Sequence, residues 1–570
     1  MERCELTIKI SGEAGQGMQT IGMALCKLFK DAGFSIFANQ DYMSRVRGGN
    51  NFFQLRVSHQ PQYTLRQNSD ILIALDKQSI SLQKKNLSPG SVIIFDKQKF
   101  AIEEEGKNLF NAPLYDLALK NGESEIFVNS VACGLLTRMG GLDFVQLEKV
   151  LRSVFGNKGV EVVDKNIKSA QAGFDYAKNN FTSNKFNLPK ATPREKLLLN
   201  GNEAIALGAI AAGVKFYSAY PMTPSTSIMD TVAHYAKNFN ILVEQAEDEI
   251  AAINMAIGAS FTGARAMTAT SGGGFCLMTE GLSLAGMTET PVVIVDAQRP
   301  APATGFPTRT EQADLGFLLH AGHGEFARVV FTPGSIEEAF YLTIKAFDLA
   351  EKYQIPALIM TDQHLADSYR EIGPEELKAS KVKRYIISKQ DSGGITDYKR
   401  YKLTSSGISP QAVPSWINGL IYADSDEHTE EGHITEDAQV RVKMVEKRFH
   451  KKMLMLEQEI EGPKFFNLRG AKICLVGFGS TFGVLKEAVL TLKDEKVGFA
   501  HLPQVWPFPA AALQKLLKGA RKIFTVENNA GAQLARLLRR ETGIEADKSI
   551  LKYDGRPFNV DYLVAQLKKR

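Results

Sequence analysis

ELTIKISGEAGQGMQTIGMALCKLFKDAG (residues 5–33) starts as a short apolar run, breaks at Gly12, Gly15 and Gly17, and resumes with apolar residues at helical spacing. Residues 5–10 read as a strand, the glycines as a turn, and the stretch from Met18 as a helix. Strand, glycine turn and helix in that order form the opening unit of a doubly wound α/β domain. The same signature recurs near the other end of the chain, in AKICLVGFGST (471–481). Between the two, ILIAL (71–75), SVIIF (91–95), VVIVD (292–296) and ALIMTD (357–362) are further short strands. VGFAHLP (497–503) and KIFTVENN (522–529) extend the last unit. The fold class is therefore α/β, repeated along the chain.

At roughly 100–200 residues per domain, 570 residues require several cores. The expected boundaries are 1–185, 196–375, 376–465 and 466–570. YAKNNFTSNKFNLPKATPREK (176–196), polar and carrying two prolines, reads as a linker. The second unit holds an Ala/Gly-rich helix, NEAIALGAIAAG (202–213), and a short strand, KFYSAY (215–220). Residues 376–465 differ in composition. They carry DSDEHTEEGHITED (424–437) and a long charged helical run, AQVRVKMVEKRFHKKMLMLEQEI (438–460), expected to be a connecting segment with a surface helix.

Composition narrows the function. Hydrophobic residues at 44% and charged residues at 23% exclude a disordered, collagen-like or coiled-coil chain. A net charge of +5 gives no basic stripe for nucleic acid. Cys4, Cys26, Cys133, Cys276 and Cys474 stand alone, which argues against disulfides, a zinc knuckle or an iron–sulfur cluster ligated within this chain. Lone thiols fit the cytoplasm. No signal peptide and no membrane-spanning run is expected.

The motifs carry more. SGEAGQG (11–17) can aim backbone amides at an anion beside a helix N-terminus, a phosphate or pantetheine-phosphate contact. Its GxxGxG spacing and the missing ribose acid count against a nucleotide-dependent oxidoreductase, and a plain tight turn explains it equally well. Arg45 and Arg47, beside Gly48 and Gly49, are further anion contacts or a solvated face. In VEQAEDEIAAINMAIGASFTGARAMTATSGGG (243–274), four acids precede a helix of small apolar residues. Most acids at such a place are caps or dipole partners. A buried glutamate there is costly unless paired, so Glu249 or Glu247 is a candidate to bond a ring nitrogen. Asp424, Asp426, His428 and His433 lack a recognised ligand spacing, so no metal is assigned. Scattered histidines and the lack of GxSxG leave no Ser-His-Asp triad.

E-x-A-A, the small-residue helix and the TATSGGG turn (268–274) resemble the pyrimidine-binding domain of thiamine-diphosphate enzymes. YPMTPST (220–226), QRPAPATGFPTRTEQADLGF (298–317) and HGEF (323–326) narrow the resemblance to the α subunit of 2-oxoacid:ferredoxin oxidoreductases. SGEAGQG and DYMSRVRGGNNFF (41–53) resemble that family's γ domain, fused ahead of α. SDEHTEEGH and TVENNAGAQLARLL also look familial. The 2-oxoglutarate-type enzymes are the nearest in pattern.

The resemblance implies a γ-type α/β domain, a pyrimidine-binding α/β domain and a C-terminal transketolase-C-like α/β domain. It implies that Glu249 bonds the aminopyrimidine of thiamine diphosphate, with Tyr220, Pro221, Gly272 and Gly273 around the cofactor. Arg299 would hold the substrate carboxylate, with Thr223 and Thr308 as hydroxyl contacts, and Arg309 a distal carboxylate. Gly12, Gly15, Gly17, Arg45 and Arg47 would meet coenzyme A or another anion. No Gly-Asp-Gly motif occurs; the nearest is YDGRP (553–557). The chain therefore resembles half an active site. A β subunit would supply Mg2+, the diphosphate contacts and a [4Fe–4S] cluster, in an (αβ)2 heterotetramer that reduces ferredoxin. The implied reaction is CoA-dependent oxidative decarboxylation of a 2-oxoacid, or its reductive reverse. One departure stands out: Pro300-Ala301-Pro302-Ala303-Thr304-Gly305 replaces the usual Gly-Gly-Pro-Ser-Thr-Gly, which stiffens this loop. Pyruvate, branched-chain or aryl 2-oxoacids are the alternative substrates, and a catalytically silent regulatory or scaffold paralogue is the alternative role.

Overall fold

The computed structural model describes residues 4–44, 48–101, 108–183 and 185–569. The chain divides into two compact units. One takes Met1–Leu199, Ser368–Glu376 and Phe558–Arg570; the other takes Asn200–Asp367 and Leu377–Pro557.

The first unit is built on an eight-stranded sheet in the order Leu109–Asn111, Leu87–Phe95, Ser69–Ala74, Glu5–Ala14, Gly48–Ser58, Ser35–Asp41, Tyr369–Ile372, Leu197–Asn200. Glu5–Ala14 runs parallel to Ser69–Ala74 and antiparallel to Gly48–Ser58, so the sheet is mixed. Helix Met18–Asp31 packs Ile21, Leu25, Leu28 and Phe29 into the core. Helices Val128–Met139 and Val160–Asn180 pack closely because two glycines let their backbones touch. A Cβ on Gly134 would lie 1.8 Å from the Ala170 carbonyl oxygen, and one on Gly173 2.0 Å from that of Val131.

Two expectations need correction here. The opening strand does not stop before Gly12: it continues to Ala14 through an irregularity between Gly12 and Ala14, pairing Gly12 with Asn51. Gly12 is thus a strand residue, and the turn is left to Gly15 and Gly17, both with positive φ. The expected linker is also shorter. Helix Val160–Asn180 runs through its first five residues because Tyr176 packs on Phe110 and donates its hydroxyl to the Asn111 carbonyl at 3.0 Å.

The second unit holds two sheets. The larger is seven-stranded, in the order Gln504–Trp506, Val329–Phe331, Pro356–Asp362, Val292–Gln298, Ala266–Thr270, Phe216–Ala219, Leu242–Gln245. All its pairs are parallel except the edge strand Gln504–Trp506. Its centre, Val292–Gln298, is buried along its whole length, as a strand covered on both faces must be. The smaller sheet runs Lys464–Phe466, Val497–Leu502, Ile473–Phe478, Lys522–Glu527, Lys548–Leu551 and is parallel beyond its first pair.

The charged run at 438–460 forms helical turns, but it is not simply a surface helix. Lys447 and Lys452 are fully buried, both on the carboxylate of buried Glu289, with Lys452 at 2.5 Å. Arg400, earlier in the 376–465 segment, donates to the Glu289 carbonyl at 2.7 Å, so the segment expected to be a connection is bonded into the core. Among the described residues no helix is long and apolar enough to cross a membrane.

Candidate active site

Open parallel sheets gather their functional groups at the carboxyl ends of the strands. After strand Leu242–Gln245, Asp248 takes an extended conformation and accepts the Ala251 amide at 2.7 Å, capping helix Glu249–Phe261. That cap fixes the helical phase. Glu249 becomes the first helical residue and is 3% exposed, while Glu247 stays outside the helix and exposed. Thr270, at the end of strand Ala266–Thr270, donates its hydroxyl to Glu249 Oε1 at 3.4 Å. The chain then turns at Ser271 into helix Gly272–Met287. Gly274 is the residue that lets these parts meet. A Cβ there would lie 2.0 Å from Thr270 Oγ1 and 2.4 Å from Glu249 Oε1.

Arg299 follows the central strand. It donates to the Thr223 carbonyl at 2.7 Å, and Thr223 precedes a cis proline, Pro224, whose own carbonyl accepts from Asn202 at 2.7 Å. Burial lowers the Arg299 guanidinium, and the charge of Glu249 opposes that shift. The loop beyond Arg299 passes over the glycine turn: Ala303 offers its carbonyl oxygen 3.9 Å from the Cβ position of Gly273. Gly305 has φ +53, and a Cβ there would lie 1.8 Å from the Pro300 carbonyl oxygen. Thr308 and Arg309 return to the interior, at 7% and 8% exposure. Tyr220 is 41% exposed.

Two acids that sequence reasoning passed over sit beneath this turn. Asp314 lies against Gly272, whose Cβ would be 2.3 Å from its Oδ2. Asp296, on the central strand, is fully buried, with neither carboxyl oxygen hydrogen-bonded among the described residues. Burial and then Glu311 push Asp314 up to about 6; burial and then Asp314 raise Asp296. An acid closing the apolar run VVIVD was the available signal.

In the first unit, Gly15 and Gly17 line a cleft of about 490 Å³ with Thr20, Tyr42, Asn51 and Phe52, at the start of helix Met18–Asp31; Gly12 is not among its lining residues. Arg45 and Arg47 lie outside the described residues. In the 424–437 segment, the His428 ring packs tilted against Tyr401 with centroids 4.0 Å apart, its Nδ1 meets the Asp426 carbonyl oxygen at 3.0 Å, and Glu427 pairs with Arg448 and Arg441. These contacts tie the 424–437 stretch to its neighbours within residues 376–465.

Comparison with known proteins reads the same parts. Residues 207–447 match the family "Pyruvate flavodoxin/ferredoxin oxidoreductase, thiamine diP-bdg", residues 7–176 "Pyruvate ferredoxin/flavodoxin oxidoreductase", and residues 471–560 "Pyruvate:ferredoxin oxidoreductase core domain II". The 2-oxoacid:ferredoxin oxidoreductase subunit alpha of a Sulfolobus species is 35% identical over 98% of this chain and 96% of its own. The chain belongs to the 2-oxoacid:ferredoxin oxidoreductase alpha-subunit family. The 2-oxoglutarate oxidoreductase subunit KorA of Mycobacterium tuberculosis is 27% identical over 98% of this alpha subunit and 90% of its own length. A solved structure, 2-oxoglutarate:ferredoxin oxidoreductase from Magnetococcus marinus with 2-oxoglutarate, coenzyme A and succinyl-CoA bound, superposes with TM-score 0.91. It is 31% identical and covers both chains completely. An alpha subunit is one part of an enzyme with other subunits, and this one is an oxidoreductase component. Among its described residues no group of three or more His, Cys, Asp or Glu could hold a metal ion.

Proposed function

We propose that this alpha subunit binds the aminopyrimidine of thiamine diphosphate and the carboxylates of 2-oxoglutarate in a CoA-dependent ferredoxin oxidoreductase completed by a β subunit. The observation that carries the reading is the buried Glu249 carboxyl facing the side-chain-free start of helix Gly272–Met287. That cradle suits a flat heteroaromatic ring: the missing Cβ at Gly274 makes room for the Glu249 carboxyl, and Gly273 presents no side chain beside it. When bound, thiamine diphosphate supplies the carbanion chemistry that breaks the bond between C1 and C2 of the 2-oxoacid.

Glu249 holds a proton between its carboxylate and the ring nitrogen. Thr270 orients the carboxylate. Arg299, its guanidinium fixed by the Thr223 carbonyl, takes the C1 carboxylate of the substrate, with the Thr223 and Thr308 hydroxyls beside it. Arg309 takes the distal carboxylate. The half-burial of Arg299 strengthens its attraction for an anion, because less water competes. Coenzyme A places its phosphate or pantetheine end in the cleft over Gly15 and Gly17. Mg2+, the diphosphate contacts and a [4Fe–4S] cluster belong to the β subunit, since this chain has no Gly-Asp-Gly and only scattered cysteines. Ferredoxin accepts the electrons, and the assembly is an (αβ)2 heterotetramer in the cytoplasm. The names of the Magnetococcus and Mycobacterium relatives favour 2-oxoglutarate over pyruvate, branched-chain or aryl 2-oxoacids.

The test is co-expression with the β subunit and a 2-oxoacid panel assayed for CoA-dependent ferredoxin reduction. The alpha chain alone should be inactive and lack iron–sulfur absorbance. The complex should prefer 2-oxoglutarate, and Arg309→Ala should weaken 2-oxoglutarate more than pyruvate. An equal loss on both removes the distal-carboxylate role, and preference for pyruvate removes the substrate assignment.

A further inference from the structure

The loop that carries Arg299, Thr308 and Arg309 ends at Gln312, a fully buried residue with no apolar reason to be there. All four of its polar groups are used, and every partner comes from the last 110 residues. Its side-chain amide donates to the Phe478 carbonyl at 3.0 Å, and its side-chain oxygen accepts the Asn528 amide at 3.1 Å. Its backbone amide donates to the Asn528 carbonyl at 2.7 Å, and its carbonyl accepts the Asn529 side chain at 3.1 Å. Gly479 makes room for it: with φ +56, a Cβ at that position would lie 2.8 Å from Gln312 Nε2.

The partners are themselves fixed. Glu527 is fully buried and accepts the Leu534 amide at 2.7 Å, the Ala535 amide at 3.1 Å and the Asn529 side chain at 3.0 Å, tying the Asn528–Asn529 pair to the start of helix Gln533–Thr542. Gln533 continues the seam, donating to the Ala313 carbonyl at 2.6 Å and accepting the Gly316 amide at 2.8 Å. On the loop's other side Gly555, of the YDGRP stretch, accepts the Thr310 amide at 3.4 Å, and a Cβ on it would lie 3.4 Å from Arg309 Cβ. The TVENN and YDGRP stretches thus converge on one short segment.

We infer that the C-terminal domain is a clamp on the Arg299–Glu311 loop, with Gln312 as the positioning residue through which Asn528 and Asn529 set the loop's path. Both asparagines are buried and reach the loop through Gln312. The inference rests on the reading of this loop as the substrate loop, and it gives the C-terminal domain a task in substrate recognition. A loop so held presents Arg299 and Arg309 already in register, so substrate binding need not order them.

The test uses the complete enzyme with its β subunit. Gln312→Ala should raise KM for the 2-oxoacid roughly 10- to 100-fold, the range expected for losing buried hydrogen bonds and displacing a binding loop. Turnover at saturation and affinity for thiamine diphosphate should change far less, and amides of residues 300–311 should exchange hydrogen faster. Gln533→Ala, at a partly exposed position, should raise KM in the same direction by a smaller factor and carries the test if Gln312→Ala does not fold. Arg299→Ala run alongside separates the two readings. If it leaves KM unmoved, the loop does not bind substrate and the inference falls with that reading. If it raises KM while Gln312→Ala and Gln533→Ala do not, the clamp alone is overturned. Loss of thiamine diphosphate affinity together with KM in Gln312→Ala would also overturn it, by reducing the residue to a general support of the fold.

Discussion

Replacing Glu249 by glutamine separates the chemistry of the buried carboxyl from its packing. The side chain is 3% exposed, and its one hydrogen bond from a described side chain comes from Thr270, at 3.4 Å. Glutamine has the same shape and its amide oxygen can accept that bond, so the fold should lose less than about 1 kcal/mol. What glutamine cannot do is hold and release a proton at the position facing a ring nitrogen. Loss of a positioned acid–base group costs roughly 10²–10⁴-fold in rate, which is about 3–5 kcal/mol of activation free energy at 1.36 kcal/mol per decade. Glu249→Gln in the assembled enzyme should therefore bind thiamine diphosphate nearly as well as the parent while turning over far more slowly. Hydrogen–deuterium exchange at the thiazolium C2, followed by NMR after acid quench, should slow by a similar factor. Glu247→Gln is the matched control: same chemistry, two residues away, exposed, and outside the capped helix. Normal C2 exchange in Glu249→Gln, or an equal loss in Glu247→Gln, would refute the assignment.

Two further predictions concern buried charge. Glu289 takes both Lys447 and Lys452, and burial lowers Lys452 to about 7, with the charges of Lys447 and Arg400 adding to that shift and Glu289 opposing it. Glu289→Gln should destabilise the chain by about 3–5 kcal/mol at neutral pH, with the deficit shrinking as pH rises and the lysines shed their protons; chemical denaturation across pH checks it. Asp314 is raised from 3.8 to about 6, so its protonated form stabilises the fold at low pH and that contribution is lost as pH rises through about 6. Asp314→Asn should flatten the fall in Tm between about pH 4 and 7, by an amount equivalent to at most roughly 3 kcal/mol, and an unchanged slope would assign the shift elsewhere.

The strand–turn–helix signature was enough for the α/β class because a parallel sheet covered on both faces leaves short apolar runs, and such runs are visible residue by residue. VVIVD and ALIMTD became adjacent central strands, in register from Val292 with Pro356 to Gln298 with Asp362. The glycines at 272–274 were legible as special but not as what they are: they form the first turn of helix Gly272–Met287, where a Cβ on Gly272 or Gly274 would strike a carboxylate. Buried charge was not. Composition assigns lysines to the surface, and nothing local in KRFHKKM marks Lys447 and Lys452 as partners of a glutamate some 160 residues earlier.

The same limit explains why Glu247 and Glu249 could not be separated on the page. The two differ only in helical phase, and phase is set by which acid serves as the cap. With Asp248 in the cap position, its side chain committed to the Ala251 amide, Glu249 must begin the helix. A register one residue later would make Glu249 the cap and spend its carboxylate on a backbone amide. The choice of cap is thus also the choice of which acid is left free for chemistry: Asp248 absorbs the helix-terminal role that any acid there could fill, and its neighbour's carboxyl is left to face Thr270 and Gly274 instead of the helix end. The Asp248 side chain thereby fixes where the Glu249 carboxyl stands.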